Sequence, residues 1–272
     1  MFEFIKSELA QFNIDLVSCL HLDECEIKRT YLLQKNGIEN GSVIIFAVPY
    51  LTPTSAGERN ISSYAVSKDY HYFFTSIFEK LLNNLKNAFP QYKFAAFSDH
   101  SPINEIDAAV IAGLGVKGRN NLLITEKYSS FVFIGEIITN ANLPSLAKEK
   151  QYCANCGRCE SSCPVKLNSS FECLSSLTQK KGDLNDNEIS AIRKSGCIWG
   201  CDICQNVCPH TINAINNNTI YTNIDYFYES QTPILTYDQI HDMSDEEFSL
   251  RAYSWRGKNV ILRNLKILEE EE

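Results

Sequence analysis

Cys153-Ala-Asn-Cys156-Gly-Arg-Cys159-Glu-Ser-Ser-Cys163-Pro164 is the stretch on which this chain turns, together with its echo Cys201-Asp-Ile-Cys204-Gln-Asn-Val-Cys208-Pro209. Two residues between successive cysteines point each sulfur at a different iron of one compact cube. The longer step before Cys-Pro sends the last sulfur away, and proline ends the local turn. Cys-x2-Cys-x2-Cys-x3-Cys-Pro is the spacing in which three thiolates hold one 4Fe-4S cube and the fourth crosses to another. Two such runs predict two clusters, close enough to exchange electrons. Zinc prefers cysteine pairs separated by a longer spacer, so four cysteines within eleven residues suit it poorly. A disulfide scaffold would call for a small secreted protein. The crossing rule gives Cys153, Cys156, Cys159 and Cys208 to one cluster. Cys163, Cys201 and Cys204 then belong to the other, and spacing alone nominates Cys197 as its fourth ligand.

The rest of the chain bounds what those clusters serve. Its 272 residues allow one large or two modest domains, and 44% of them are hydrophobic, enough for a real core. No apolar run approaches the roughly 20 residues that a membrane span needs. The opening MFEFIKSELAQF reads as a surface helix rather than a signal peptide. Eleven cysteines without a signal peptide point to metal ligation in a reducing, cytoplasmic setting. A net charge of −8, made more negative by thiolate-bound cubes, excludes bulk attraction to nucleic acid as the default. A nucleic-acid partner would need a local basic surface.

Periodicity outlines the elements. Phe4, Ile5, Leu9 and Phe12 keep helical spacing, and IDLVSCL (14–20) can be a strand, with Cys19 a small buried apolar residue. Cys25 sits in a polar loop with no ligand spacing around it. The unbroken run SVIIFAVPY (42–50) suits a strand buried on both faces. After the loop LTPTSAGERNISS, Tyr70, Phe73, Phe74, Ile77, Phe78, Leu81, Leu82 and Leu85 mark one face of a long helix. YKFAAFS (92–98) reads as a strand, INEIDAAVIAG (103–113) as a helix stopped by glycine, and NLLIT (121–125) and SFVFIGEIIT (130–139) as a pair of strands. Two helical patches are expected near 170–180 and 186–195, a loop over NAINNNTIYTN (213–223), and a helix over 245–268 with a basic body. The expected fold is α+β: a mixed α/β domain over 1–145, a ferredoxin-like two-cluster domain over 146–212, and a C-terminal segment, 213–272, packing back. A two-cluster ferredoxin needs only about 60 residues, so the clusters should deliver electrons to something the first domain holds.

Longer blocks add a resemblance. SSYAVSKDYH (62–71), SDHSPINEIDAAVIAGLGVKGRNNLLI (98–124), SFVFIGEIIT, GCDICQNVCP (200–209) and EEFSLRAYSWRGKNVILRN occur in the order found in epoxyqueuosine reductases. The resemblance runs from about residue 40 to 265 and marks a short form without a helical-repeat extension. It implies a cobalamin held against the first domain, two 4Fe-4S clusters feeding it, and a queuosine-type tRNA anticodon loop as substrate carrier. It also implies reduction of epoxyqueuosine to queuosine with electrons from an external donor, by a monomer off the membrane.

The resemblance assigns roles residue by residue. Asp99 matches the family's catalytic acid, which would give a proton as the epoxide oxygen leaves as water. Asp and Pro also favour turns, so Asp99 has a local reason to sit in Ser-Asp-His-Ser-Pro. His100 is either a second acid or simply exposed, and Glu105 matches a site-bracing glutamate. Lys68, Asp69, Tyr70 and His71 match the loop that would touch the corrin, although Asp69 also suits a helix N-cap. Gly113, Gly115, Gly118 and Asn120 allow close approach to a flat ligand, and Gln205 falls in the second cysteine block. For the second cluster, ECLSSLT (172–178) resembles the family's ligand segment, which selects Cys173 over Cys197. Ser67, Val116, His210, Gln179 and Lys180 depart from the family pattern where substrate or corrin would sit. Candidate tRNA contacts are Lys166, Lys180, Lys181, Arg193 and Lys194, and in the tail Arg256, Lys258, Arg263 and Lys266; a solvated helix face explains them equally. Two alternatives stand beside this function: a related corrinoid reductase of another substrate, and a ferredoxin-type carrier serving a separate corrinoid enzyme.

Overall fold

The computed structural model describes residues 1–165 and 173–269. The chain divides into two compact units, each assembled from three segments. The first comprises Met1–Tyr50, His71–Cys156 and Asn213–Ile224; the second comprises Leu51–Tyr70, Gly157–Ile212 and Asp225–Glu272. The units are therefore interleaved along the chain rather than consecutive.

The first unit is built on a four-stranded sheet, with strands β1 (Leu16–His21), β2 (Ser42–Pro49) and β3 (Phe94–Phe97). Next come a short hairpin of β4 (Val116–Lys117) and β5 (Leu123–Ile124), then β6 (Val132–Thr139). The sheet order is β1-β2-β6-β3, antiparallel at every pairing. Every residue of β2 is buried, as its unbroken apolar run predicts. The helix Tyr70–Ala88 covers one face through Phe74 and Phe78, whose rings lie 6.5 and 6.4 Å from that of Phe46. Gly135 is required there, since a Cβ would stand 2.6 Å from the Phe46 ring. The helix Glu105–Ile111 covers the other face, packing Ala108, Ala109 and Val110 with Val43, Ile45, Ala95 and Ile138. Glu136 lies opposite Ile45 on β2 and Phe97 on β3. Alternation along the strand therefore turns its side chain into this second, apolar layer with Ile134 and Ile138.

The second unit has no extended sheet among the described residues. Its core joins Ile61, Val66, Ile198, Trp199, Phe248, Tyr253, Ile261 and Leu265. Trp199 Nε1 donates to the Tyr64 hydroxyl at 2.8 Å, and the fully buried Asn264 amide donates to the carbonyls of Thr178 (2.7 Å) and Ile198 (2.8 Å). The helices Leu174–Thr178 and Asp186–Ser195 stand where the two helical patches were expected.

Three expectations change. Residues 121–125 and 130–139 both contain strands, but they do not pair with each other: β5 pairs with β4, and β6 with β2 and β3. Residues 213–216 are not loop, since the helix Pro209–Asn216 runs through them. The tail is not one helix but Asp245–Ser249, a 3₁₀ turn Ser254–Arg256, and Lys258–Glu269. The last helix is set off from the 3₁₀ turn by Gly257, whose φ of +87° no helix accommodates.

Candidate active site

The first unit gathers ionisable side chains beside the end of β3. Asp99 stands two residues past the end of that strand and takes a left-handed backbone, φ +63°. This is uncommon for a residue with a Cβ, and a short polar side chain tolerates it best. The conformation is fixed by a hydrogen bond from the Asp99 amide to Glu105 Oε1 at 3.0 Å, made from the first turn of the helix Glu105–Ile111. His71, in the first turn of the long helix, brings Nε2 to 3.3 Å from Asp99 Oδ2, and both side chains are about half exposed (54% and 52%). Beside them Tyr31 and His100 share a 2.7 Å hydrogen bond, and Arg29 Nη1 donates to the Ser101 carbonyl at 2.8 Å. An open cleft of about 490 Å³ is lined by Lys28, Arg29, Asp99, Asn104 and Glu105 among others.

Beneath this exposed layer lie two further carboxyls. Burial raises the Glu105 pKa to about 7, helped by the charge of Asp99 and opposed by the Asp99 amide and Arg29. Glu136 is fully buried. Its Oε1 accepts from the Ser101 hydroxyl, and its Oε2 has no hydrogen-bond partner among the described residues. Desolvation, with the charges of Glu105 and Asp99, holds its carboxyl well above the ordinary range. Sequence reasoning missed Glu136, Arg29 and Tyr31. For Glu136 the signal was available: one charged residue inside the apolar strand FVFIGEIIT.

Of the loop 68–71, the structure brings His71 to Asp99. Lys68 pairs with Glu229 at 2.7 Å, the Asp69 amide donates to the Leu250 carbonyl, the Tyr226 hydroxyl donates to the Asp69 carbonyl at 2.6 Å, and Tyr70 meets Tyr64 edge-on. Gly115 and Gly118 have an internal reason to be glycine. A Cβ at Gly115 would lie 2.3 Å from the Ile124 carbonyl, and one at Gly118 2.3 Å from Asn120 Oδ1, so both serve the β4–β5 hairpin.

The cysteine segment rests on local turns. None of the eleven cysteines is in a disulfide, and Cys19 and Cys25 are buried. Burial pushes Cys19 up to about 11 and Cys25 up to about 12, which suits inert core thiols. The Cys153 amide donates to the Lys117 carbonyl at 3.0 Å, and Asn155 and Gly157 take left-handed backbones on either side of Cys156. Cys159 lies on the short helix Arg158–Ser161, which ends before Cys163. Cys204 lies on the helix Ile203–Asn206, which packs against it, and Cys208 follows at its end. Cys173 is exposed at the N-terminus of Leu174–Thr178, whereas the half-buried Cys197 hydrogen-bonds the Cys201 thiol.

Asp202, between Cys201 and Cys204, is 4% exposed and heavily braced. Its carboxylate accepts from Ser62 (2.5 Å), from the amide (2.6 Å) and hydroxyl (2.8 Å) of Ser63, from Gln205 Nε2 (2.9 Å) and from Arg59 (3.1 Å). Gly200 is needed in this turn, with φ +68° and a hypothetical Cβ only 2.5 Å from that of Ser62.

The basic residues divide into two groups. Lys180 pairs with Glu188 at 2.7 Å, Arg193 donates to the Ile267 carbonyl at 3.1 Å, Arg263 donates to the Gly182 carbonyl, and Lys258 donates to the Met243 carbonyl. Arg256 stacks on Trp255, 3.9 Å from the ring centroid. Lys181, Lys194 and Lys266 are exposed, and Lys166 lies outside the described residues.

Comparison with known proteins gives these features a family. The family model described as "Epoxyqueuosine reductase QueG, DUF1730" matches residues 35–100, and that for a 4Fe-4S double cluster binding domain matches 152–211. The epoxyqueuosine reductase of Lactococcus garvieae (strain Lg2) is 32% identical over 305 aligned positions, covering 97% of this chain and 84% of the relative. The chain belongs to the epoxyqueuosine reductase family. It is an oxidoreductase of that family, with an iron–sulfur double-cluster domain. Two solved members share its mixed α+β fold, each at 22% identity over 98% of this chain and 80% of theirs. One, with a TM-score of 0.76, is an epoxyqueuosine reductase with a tRNA-Tyr epoxyqueuosine-modified tRNA stem loop. The other, from Bacillus subtilis, with a TM-score of 0.74, has its catalytic aspartate loop swung out of the active site. Among the described residues no helix is long and apolar enough to cross a membrane.

Proposed function

We propose that this chain reduces the epoxide of epoxyqueuosine in tRNA to the alkene of queuosine, with Asp99 as the proton donor at the departing oxygen. The observation that carries this reading is the Asp99 corner, in a chain of this family. An exposed carboxyl on a left-handed loop residue meets His71 at 3.3 Å and is braced through its amide by Glu105.

Removing an epoxide oxygen as water takes two electrons and two protons. The thiols of the two cysteine runs, none of them in a disulfide, have the chemistry and the sequence spacing for 4Fe-4S ligation. Cys153, Cys156, Cys159 and Cys208 would hold one cluster, and Cys163, Cys173, Cys201 and Cys204 the other. The half-exposed His71 and Asp99 offer a donor and an acceptor suited to the amide-fringed edge of a cobalamin. When bound, the clusters and the corrin supply the reducing electrons, drawn from an external donor. The chain's own side chains orient and protonate. Asp99 presents its carboxyl to solvent and substrate, His71 holds that carboxyl in place, and Glu105 fixes the loop that carries it. Exposed Lys181, Lys194 and Lys266 offer phosphate contacts to the tRNA.

The test is turnover of epoxyqueuosine-bearing tRNA by anaerobically reconstituted enzyme with an active reductant. Wild type should give queuosine, and Asp99→Asn should lower kcat by about 10²–10⁴-fold, the range of general acid catalysis. Because Asp99 is exposed, its melting temperature should stay near that of wild type. Absence of product from the fully loaded wild type would refute the substrate.

A further inference from the structure

Proton supply at Asp99 has a structural question attached. Each epoxide lost as water consumes two protons, while Asp99 carries one. Its acidic neighbour Glu105 is half-buried in the cleft wall. Glu105 accepts the Asp99 amide through Oε1, which leaves its second oxygen available to carry a proton, and it lines the same cleft as Asp99. Behind it stands Glu136, fully buried among Ile45, Phe97 and Ile138, with one oxygen bonded by Ser101 and the other bonded by nothing described. A carboxylate anion with an orphaned, wholly buried oxygen is too costly to persist, so this group carries its proton.

The charged and titratable groups around these acids are few. Glu105 faces Asp99, Glu136 and the guanidinium of Arg29; Asp99 faces His71; Glu136 faces the buried Cys25 thiol and the two other carboxyls. Lys28 reaches the mouth of the cleft, and His100 is held by Tyr31. Arg29 is the cation that acts on Glu105, His71 lies against Asp99, and the mutual crowding of three carboxyls favours holding protons on Glu105 and Glu136.

We propose that Glu105 is a proton store that recharges Asp99 between the two protonations of one turnover, with Glu136 behind it as a permanently neutral acid; this rests on the epoxide-reduction reading above. In the first transfer the Asp99 O–H bond breaks and an O–H bond forms on the epoxide oxygen as its first C–O bond opens. The proton of Glu105 then passes to the Asp99 carboxylate. Asp99 gives it to the same oxygen, which leaves as water while the second C–O bond breaks and the C=C bond closes. The external reductant supplies the two electrons, and solvent returns two protons, one to Asp99 and one to Glu105. Glu105 acts through Asp99 and is a positioning and proton-holding residue, not one that touches substrate.

Two measurements on the loaded full-length enzyme test this. Infrared difference spectra of the carboxylic-acid C=O stretch, recorded from about pH 5 to about pH 9, should show one band that titrates near neutral pH and one that persists. Glu105→Gln should remove the titrating band, and Glu136→Gln the persistent one. In turnover, Glu105→Gln keeps the acceptor for the Asp99 amide but has no proton to give. It should lower kcat about tenfold with KM unchanged and abolish the neutral limb of the kcat–pH profile, and Glu105→Asp should restore part of that limb. A wild-type spectrum without a titrating acid band, or a Glu105→Gln enzyme with the wild-type pH limb, would overturn the proton store. The infrared titration needs no substrate, so a wild type that leaves epoxyqueuosine untouched counts against the substrate reading alone.

Discussion

Asp202 and Glu136 are both almost wholly removed from water, 4% and 0% exposed, yet their surroundings are opposites. Asp202 is met by the Arg59 guanidinium, two serine hydroxyls, a backbone amide and the Gln205 amide, and it sits between two cysteines of the second run. Glu136 is met by one hydroxyl and otherwise by apolar side chains and other acids. A buried carboxylate with a full set of donors is a rivet: its charge is spent on holding neighbouring segments in one geometry. A buried carboxyl with almost none is a proton carrier, because protonation is the cheapest way to satisfy it. In one unit the first device braces the turn between Cys201 and Cys204; in the other the second lies beneath the Asp99 corner, where the proposed reaction would consume protons.

The sharpest way to break this contrast is to remove the rivet. Asp202→Ala leaves the Arg59 guanidinium and the Ser62 and Ser63 donors buried without their acceptor, and should destabilise the protein by about 3–5 kcal/mol in chemical denaturation. It should also lose iron on purification. Glu136→Gln, which replaces a neutral acid with a neutral isostere, should cost only about 1 kcal/mol. Equal losses at the two positions would dissolve the distinction.

Cluster ligation comes next. Cys173→Ser should lose one cluster, roughly half the iron of the two-cluster enzyme, whereas Cys197→Ser should keep both. The reverse iron counts would assign the ligand to Cys197, whose thiol already touches that of Cys201.

A smaller effect follows from pH. The folded state holds the Glu105 proton up to about 7 against an ordinary 4.5, because burial penalises its charge. The unfolded chain gives that proton up first. Stability from this group is therefore complete below about 4.5 and is lost as pH rises towards about 7. Glu136, shifted in the same direction, extends the loss upward. Urea midpoints measured across that window should fall with pH in wild type and fall less in Glu105→Gln. The smallest effect is expected at the surface: replacing Lys181, Lys194 and Lys266 by alanine should weaken tRNA binding modestly and flatten its salt dependence by up to about three phosphate contacts.

Much of this was legible from the residues because it is local. The all-buried strand 42–49 and the amphipathic helix 70–88 each depend on neighbours a few positions away, and each appears where the pattern put it. The tail is not one helix: its first helix stops at Ser249, and the positive φ of Gly257 separates the 3₁₀ turn Ser254–Arg256 from the last helix although amphipathic spacing continues across it. A Cβ at Gly115 or Gly118 would meet the chain's own Ile124 or Asn120, which no single-residue argument reveals.

What the sequence determined by itself is the chemistry on offer: thiols spaced for iron, an acid in a tight turn, and the family blocks around them. Only the tertiary structure decided which acids meet. The pairing of β6 with both β2 and β3 sets Glu136 in the apolar layer beside the helix that carries Glu105, and the start of the long helix brings His71 to Asp99. Proximity of residues 28 and 31 positions apart is a property of strand order and packing, and so is the loss of solvent that changes a carboxyl from an anion into a proton holder.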